Sequence, residues 1–93
     1  MSHVDVNITW SGTAPTADPN RVVVKLSHGK DKVKWTSNQD FIIDLLGSEI
    51  RSTPKNSLFE ADSHIFLVPA LHSYGIRPAV GSGGGDPEIE IQS

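Results

Sequence analysis

Apolar and polar residues alternate in several separate stretches of this chain, and that alternation defines most of its predicted strands. Val4, Val6, Ile8 and Trp10 are interleaved with Asp5, Asn7 and Thr9, the period of two that buries one strand face and wets the other. Arg21 to Leu26 repeats the pattern with Val22, Val24 and Leu26 inward, and Lys32 to Thr36 does so with Val33 and Trp35 inward. Between them Ser27-His28-Gly29-Lys30-Asp31 reads as a tight turn in which Gly29 supplies a positive φ, predicting a hairpin. The closing stretch puts Ile89 and Ile91 inward and Glu88, Glu90 and Gln92 outward.

Other stretches carry weaker alternation. Phe41 to Leu46 is apolar on both faces except at Asp44, which predicts a central or doubly covered strand. His64-Ile65-Phe66-Leu67-Val68 reads as a further apolar strand stopped by Pro69. His72 to Val80 alternates imperfectly, and Pro78 lacks the N–H that a ladder needs, so it marks an edge or a strand end. Ser11 to Pro19 reads as a loop rich in turn formers. Gly47 to Asp62 is the long irregular piece. In it Thr53-Pro54 resembles an N-cap and first helical residue, and Ser57 with Glu60 has capping-box spacing, so one short helical turn is expected. Gly81-Ser82-Gly83-Gly84-Gly85 reads as a flexible hairpin loop. Seven short strands with turns between them predict an all-β Greek-key β-sandwich, with residues 1–93 forming a single domain.

The order of residues resembles the cupredoxins. The stretch Val33-Lys34-Trp35-Thr36-Ser37-Asn38-Gln39-Asp40 is similar to the family's Val-x-Trp-x-Asn-x-Asp type of strand end. Tyr74, the loop from Gly81 to Gly85 and the alternating strand with Ile89 and Ile91 follow in the family's order. The resemblance spans roughly residues 20–92. It implies a cupredoxin-like fold and not a blue-copper site, which takes two His, one Cys and usually a weak axial Met. The first His would follow the Asn-x-Asp turn, where this chain has Phe41, Ile42 and Ile43. The remaining ligands would precede the last strand, where this chain has glycines and Ser82. The resemblance therefore implies a copper-free, cupredoxin-like domain with no cofactor.

Composition narrows the function classes. The formal charge is −3, and the basic residues Lys30, Lys32 and Lys34 alternate with other residues as the wet face of one strand. Both observations argue against a nucleic-acid partner. There is no cysteine, which removes disulfides, thiolate metal sites and thiol nucleophiles together. No apolar run approaches the roughly 20 residues of a membrane-spanning helix, so no membrane partner is expected. Residues 1–5 lack the basic start and apolar middle of a signal peptide. A cytoplasmic location is expected if the chain is full length, and a periplasmic or extracellular one if a leader has been removed. A chain of 93 residues buries only about 60–65% of its unfolded surface, so its core is small.

Candidate chemistry is sparse. The four histidines are His3, His28, His64 and His72, and none has the spacing that sets two imidazoles on one face. His64 and His72 flank the Pro69-Ala70-Leu71 turn and could meet if their strands are neighbours, with Asp62 as a carboxylate partner. They form the candidate Cu(II) or Zn(II) site, against the simpler reading of two strand-end histidines. Met1-Ser2-His3 has the donors of a square-planar amino-terminal chelate, or is an ordinary tail. Gly81-Ser82-Gly83 is neither a nucleophile elbow nor a phosphate cradle, since no helix follows it. Asp44, in an apolar strand, either points to solvent or pairs with Arg51 or Arg77. Trp10 or Tyr74 could serve as a stacking platform for carbohydrate, although aromatic residues make up only 6% of the chain.

The apolar surplus is the last signal. If alternation holds, Ile42, Leu46, Phe66 and Val68 lie on outer faces, either covered by residues 47–62 or exposed as a patch. The expected function is a non-enzymatic module that binds an unknown protein partner or associates with itself, and the alternative is a metal-binding protein using His64 and His72.

Overall fold

A computed structural model describes residues 2–12, 14–81 and 83–93. Within them eleven strands form three sheets, together with one turn of 3-10 helix and no α-helix. The strands are β1 (Ser2–Ser11), β2 (Ala14–Asp18), β3 (Arg21–Lys25), β4 (Lys30–Ser37), β5 (Phe41–Leu45), β6 (Ser48–Arg51), β7 (Thr53–Lys55), β8 (Leu58–Asp62), β9 (Ala70–Ser73), β10 (Gly75–Pro78) and β11 (Glu88–Gln92). The five-stranded sheet runs β2-β1-β4-β8-β7, and the two three-stranded sheets run β10-β5-β6 and β3-β11-β9.

One buried cluster draws on all three sheets. Val6, Ile8, Val33, Trp35 and Ala61 enter it from the five-stranded sheet, Val22, Val24, Ile89 and Ile91 from the β3-β11-β9 sheet, and Phe41, Ile43, Leu45 and Ile76 from the β10-β5-β6 sheet. Val6, Ile8, Val22, Val24, Val33, Trp35, Ile89 and Ile91 are the inward positions of the alternating stretches, so in those strands the period of two places the core correctly. Each such aliphatic side chain gains about 1.5–3 kcal/mol over an exposed one. Trp35 and Tyr74 meet in this core with ring centroids 5.3 Å apart. The Trp35 indole Nε1–H donates to the Tyr74 hydroxyl at 3.1 Å, which satisfies a donor that burial would otherwise strand.

The expected seven strands become eleven because four strands (β2, β6, β7 and β8) lie outside the segments read as strands, one predicted strand is split in two, and one, His64–Val68, does not form. The segment Gly47 to Asp62, read as irregular with one helical turn, is instead three strands in two hairpins. The β5–β6 turn has two residues, Leu46 and Gly47, with φ of 53° and 81°. The β7–β8 turn has Asn56 and Ser57 with φ of 51° and 70°. Two successive left-handed residues are the turn whose twist matches paired antiparallel strands. Thr53-Pro54 does not open a helix, because β7 is an edge strand, where a residue without N–H is tolerated. Part of the predicted loop Ser11–Pro19 is β2, paired with β1 from Asn7↔Asp18 to Ser11↔Ala14. The stretch His72–Val80 is divided at Tyr74 between β9 and β10, which belong to different sheets.

The predicted hairpin of the second and third alternating stretches does not form. Residues Leu26–His28 make the 3-10 turn, closed by the Gly29 N–H donating to the Leu26 carbonyl at 3.1 Å. This turn carries the chain from one sheet to another. β3 pairs in parallel with β11, and β4 pairs in parallel with β1 and antiparallel with β8. The predicted strand His64–Val68 is also absent. Ser63 and Phe66 are tied to the start of β4: the Ser63 N–H donates to the Val33 carbonyl and the Phe66 N–H to the Asp31 carbonyl, both at 2.8 Å. Leu67 and Val68 follow that anchor without ladder partners.

The glycine loop is not a hairpin, since β10 and β11 lie in different sheets. Gly85 and Ile76 exchange both backbone hydrogen bonds at 3.0 Å. Gly84 sits against that bridge, where an added Cβ would lie 2.9 Å from the Ile76 carbonyl oxygen, so the close approach requires glycine. Thr13 of the predicted loop, Met1 of the amino-terminal chelate and Ser82 of the glycine loop lie outside the described residues.

Candidate functional site

Two surface features combine exposure with unusual chemistry. The first is the segment between β8 and β9. Phe66 is buried there, but Ile65, Leu67, Val68 and Leu71 are 45%, 81%, 68% and 56% exposed. Alternation predicted Ile42, Leu46, Phe66 and Val68 as outer-face residues. Ile42 and Phe66 are in fact buried, while Leu46 and Val68 are exposed. Ile42 pairs with Arg51 on one side and Arg77 on the other, whereas Leu46 and Val68 are not covered by residues 47–62. Leu67 escaped prediction because a strand would have turned it inward. The adjoining strand β9 ends its sheet, so its outer edge has no strand beyond it among the described residues.

His64 and His72 frame this segment. The His64 ring lies 4.6 Å from that of Phe66, and the His72 ring 6.1 Å from it. The turn therefore brings both imidazoles against one phenyl ring. Among the described residues, no group of three or more His, Asp or Glu is placed to hold a metal ion. His3 Nε2 lies 3.1 Å from Asp5 Oδ1.

The second feature is a notch at one end of the five-stranded sheet, with a volume of about 330 Å³. The ladder between β1 and β4 stops at Ile8↔Ser37, while β1 continues to Ser11. Where β4 departs, a gap opens between Asn7, Thr9 and Trp10 on one side and Thr36, Asn38 and Leu58 on the other. The Trp10 indole Nε1–H donates to Ser37 Oγ at 2.8 Å, and the same oxygen accepts the Gln39 N–H at 3.2 Å. Ser37 is buried, so the indole is held in one orientation. Of the two proposed aromatic platforms, Tyr74 is ruled out by burial and Trp10 remains half-exposed.

Asp44 pairs with Arg77, not Arg51, while its side chain stays partly open to solvent. Arg77 Nε–H donates to Asp44 Oδ2 at 2.8 Å, and the guanidinium also donates to Glu49. The hydrogen bond to Asp44, and then the charges of Asp44 and Glu49, hold Arg77 above its ordinary pKa. Register explains the grouping, since Asp44 faces both Gly75 and Glu49 on neighbouring strands. Asp44, Arg77, Asp86 and the glycines of residues 83–85 border a second hollow of about 360 Å³, whose cation is already engaged.

Among the described residues no helix is long and apolar enough to cross a membrane. Compared with protein-family models, with curated proteins and with solved structures, the chain matches none.

Proposed function

We propose that this protein is a non-enzymatic interaction module, a copper-free Greek-key sandwich of cupredoxin-like type that binds a second copy of itself through the segment Ile65–Leu71 and the free edge of β9. The observation that carries the reading is the adjacency of four exposed aliphatic side chains to an unpaired strand edge. A contiguous apolar patch usually marks a contact surface, and an open edge offers backbone donors and acceptors to another strand. The family likeness draws support from Trp35, Tyr74 and β11, the landmarks of the resemblance, which share one core.

Sedimentation equilibrium over a concentration series tests the function. The wild-type chain is expected to associate as concentration rises. Leu67→Asp is expected to stay monomeric with an unchanged unfolding temperature, because Leu67 is almost fully exposed. A wild-type chain that remains monomeric at millimolar concentration would sink the self-association reading.

A further inference from the structure

The open edge of β9 sets how a second copy can add to it. The Tyr74 N–H, just beyond that strand, donates to the Pro87 carbonyl, just before β11, at 3.0 Å. Successive residues of an antiparallel strand bond to alternate sides. Ala70 and His72 therefore bond toward β11, and the N–H and C=O groups of Leu71 and Ser73 face outward. That edge is complementary to itself. An antiparallel copy of β9 with Leu71 opposite the partner's Ser73 uses every one of these groups. Pairing Leu71 with the partner's Leu71 would instead set Ser73 against Pro69, which has no N–H to give. The other edge of the sheet is different. β3 ends it with exposed Arg21 and Lys25, whereas β9 has no Lys, Arg, Asp or Glu. Charges on an edge discourage strand addition, so β9 meets β9 and the contact closes on a twofold axis.

The axis of that register runs beside His72. His72 and the partner's His72 then stand directly opposite at a non-hydrogen-bonded position, where cross-strand Cβ atoms are about 4.5–5.5 Å apart. Both imidazoles leave the same face of the joined sheet, because His72 shares the face of buried Ile89. Each ring is also steadied by Phe66, against which it stacks at 6.1 Å with 23° between the planes. We propose that the two His72 imidazoles form a site for a divalent transition-metal ion of the Zn(II) or Cu(II) class, which imidazole nitrogen suits. The site is incomplete in one chain, where the described residues hold no group of three or more metal-ligating side chains, and dimerisation assembles it. Water completes the coordination. This inference rests on the self-association reading and gives that contact its regulation, since an ion taken up by the dimer alone draws the equilibrium toward the dimer.

Sedimentation equilibrium of the full chain, with Zn(II) added or with EDTA, tests the shared site. Zn(II) is expected to lower the dimer dissociation constant by about tenfold or more, because the ion binds the dimer and not the single chain. EDTA should reverse the effect, and calorimetric titration should show one ion taken up for two chains. His72→Gln should remove the response to Zn(II) while metal-free association remains, and His64→Gln should keep the response. The chain has no cysteine, so His72→Cys reads the register independently: oxidation should link two chains through it. Association that ignores Zn(II), a Zn(II) response that persists in His72→Gln, or a His72→Cys chain that associates and stays unlinked after oxidation would each overturn the shared site and leave self-association standing. A wild-type chain that is monomeric with and without Zn(II) would overturn both.

Discussion

Tyr74 is the only tyrosine of the chain, and it lies in the core with 3% of its surface exposed. Burial pushes its phenol up from 10 to about 12, with the hydrogen bond from Trp35 pulling the other way. The neutral phenol is the form that the fold accommodates. In the unfolded chain the phenol ionises near its ordinary pKa of about 10. The folded state thus binds more protons than the unfolded state between those two values, and stability falls as pH rises through that window. The stabilisation is whole below pH 10 and lost progressively from about pH 10 to pH 12. A difference of about two units corresponds to about 2.7 kcal/mol, a large share of the stability of a domain with so small a core. Urea unfolding followed by tryptophan fluorescence at pH 8 and at steps above pH 10 measures the loss. Tyrosinate absorbance, which reports Tyr74 alone, follows the ionisation directly. Tyr74→Phe is expected to be less stable at pH 8 by about 1–3 kcal/mol, because the Trp35 indole N–H loses its partner in the core. The variant should also show a much flatter dependence above pH 10. A tyrosinate transition centred near pH 10 in the folded protein, or equal alkaline slopes for wild type and variant, would refute this account.

Two further predictions rest on named contacts. Leu46 holds a left-handed φ in the β5–β6 turn with its side chain exposed, so Leu46→Gly should stabilise the protein by about 0.5–1 kcal/mol in urea unfolding, since only the backbone strain is relieved. Buried Ser63 accepts the Val33 N–H through Oγ at 2.9 Å and donates to the His64 carbonyl at 2.8 Å. Ser63→Ala should therefore cost about 1–3 kcal/mol by leaving those groups unpaired, and unchanged thermal unfolding would show that water replaces the hydroxyl.

The strands that buried one clean face were legible in the chain. Val6 and Ile8, Val22 and Val24, Val33 and Trp35, and Ile89 and Ile91 all point where their alternation says. The turns at Leu46-Gly47 and Asn56-Ser57 were not legible, because neither is an Asn-Gly or Asp-Gly pair and the spacing of Ser57 and Glu60 pointed to a helical turn instead. Segment 63–69 misled because an apolar run reads as a strand, whereas only Ser63 and Phe66 bind it to β4. Pairing order was not legible at all. Nothing in Arg21–Lys25 names Glu88–Gln92 as its neighbour, so the predicted hairpin lost to a parallel partner far away in sequence. The notch beside Trp10 was hidden for the same reason, since it exists only where β4 parts from β1.

The position of β11 has a consequence for the order in which the molecule can be made. The five-stranded sheet uses only residues between Ser2 and Asp62, so a growing chain can assemble it early. The sheet that β11 joins waits for Glu88–Gln92, because Arg21 meets a partner 67 positions away. Until that strand arrives, Val22 and Val24 have no ladder beside them and the core lacks Ile89 and Ile91. Closure over so long a separation is slow compared with local pairing, and the interval exposes apolar surface to neighbouring chains. During synthesis the molecule is therefore most vulnerable to aggregation until Glu88–Gln92 has been made, and a lesion within that strand would leave β3 and β9 without the partner that joins them.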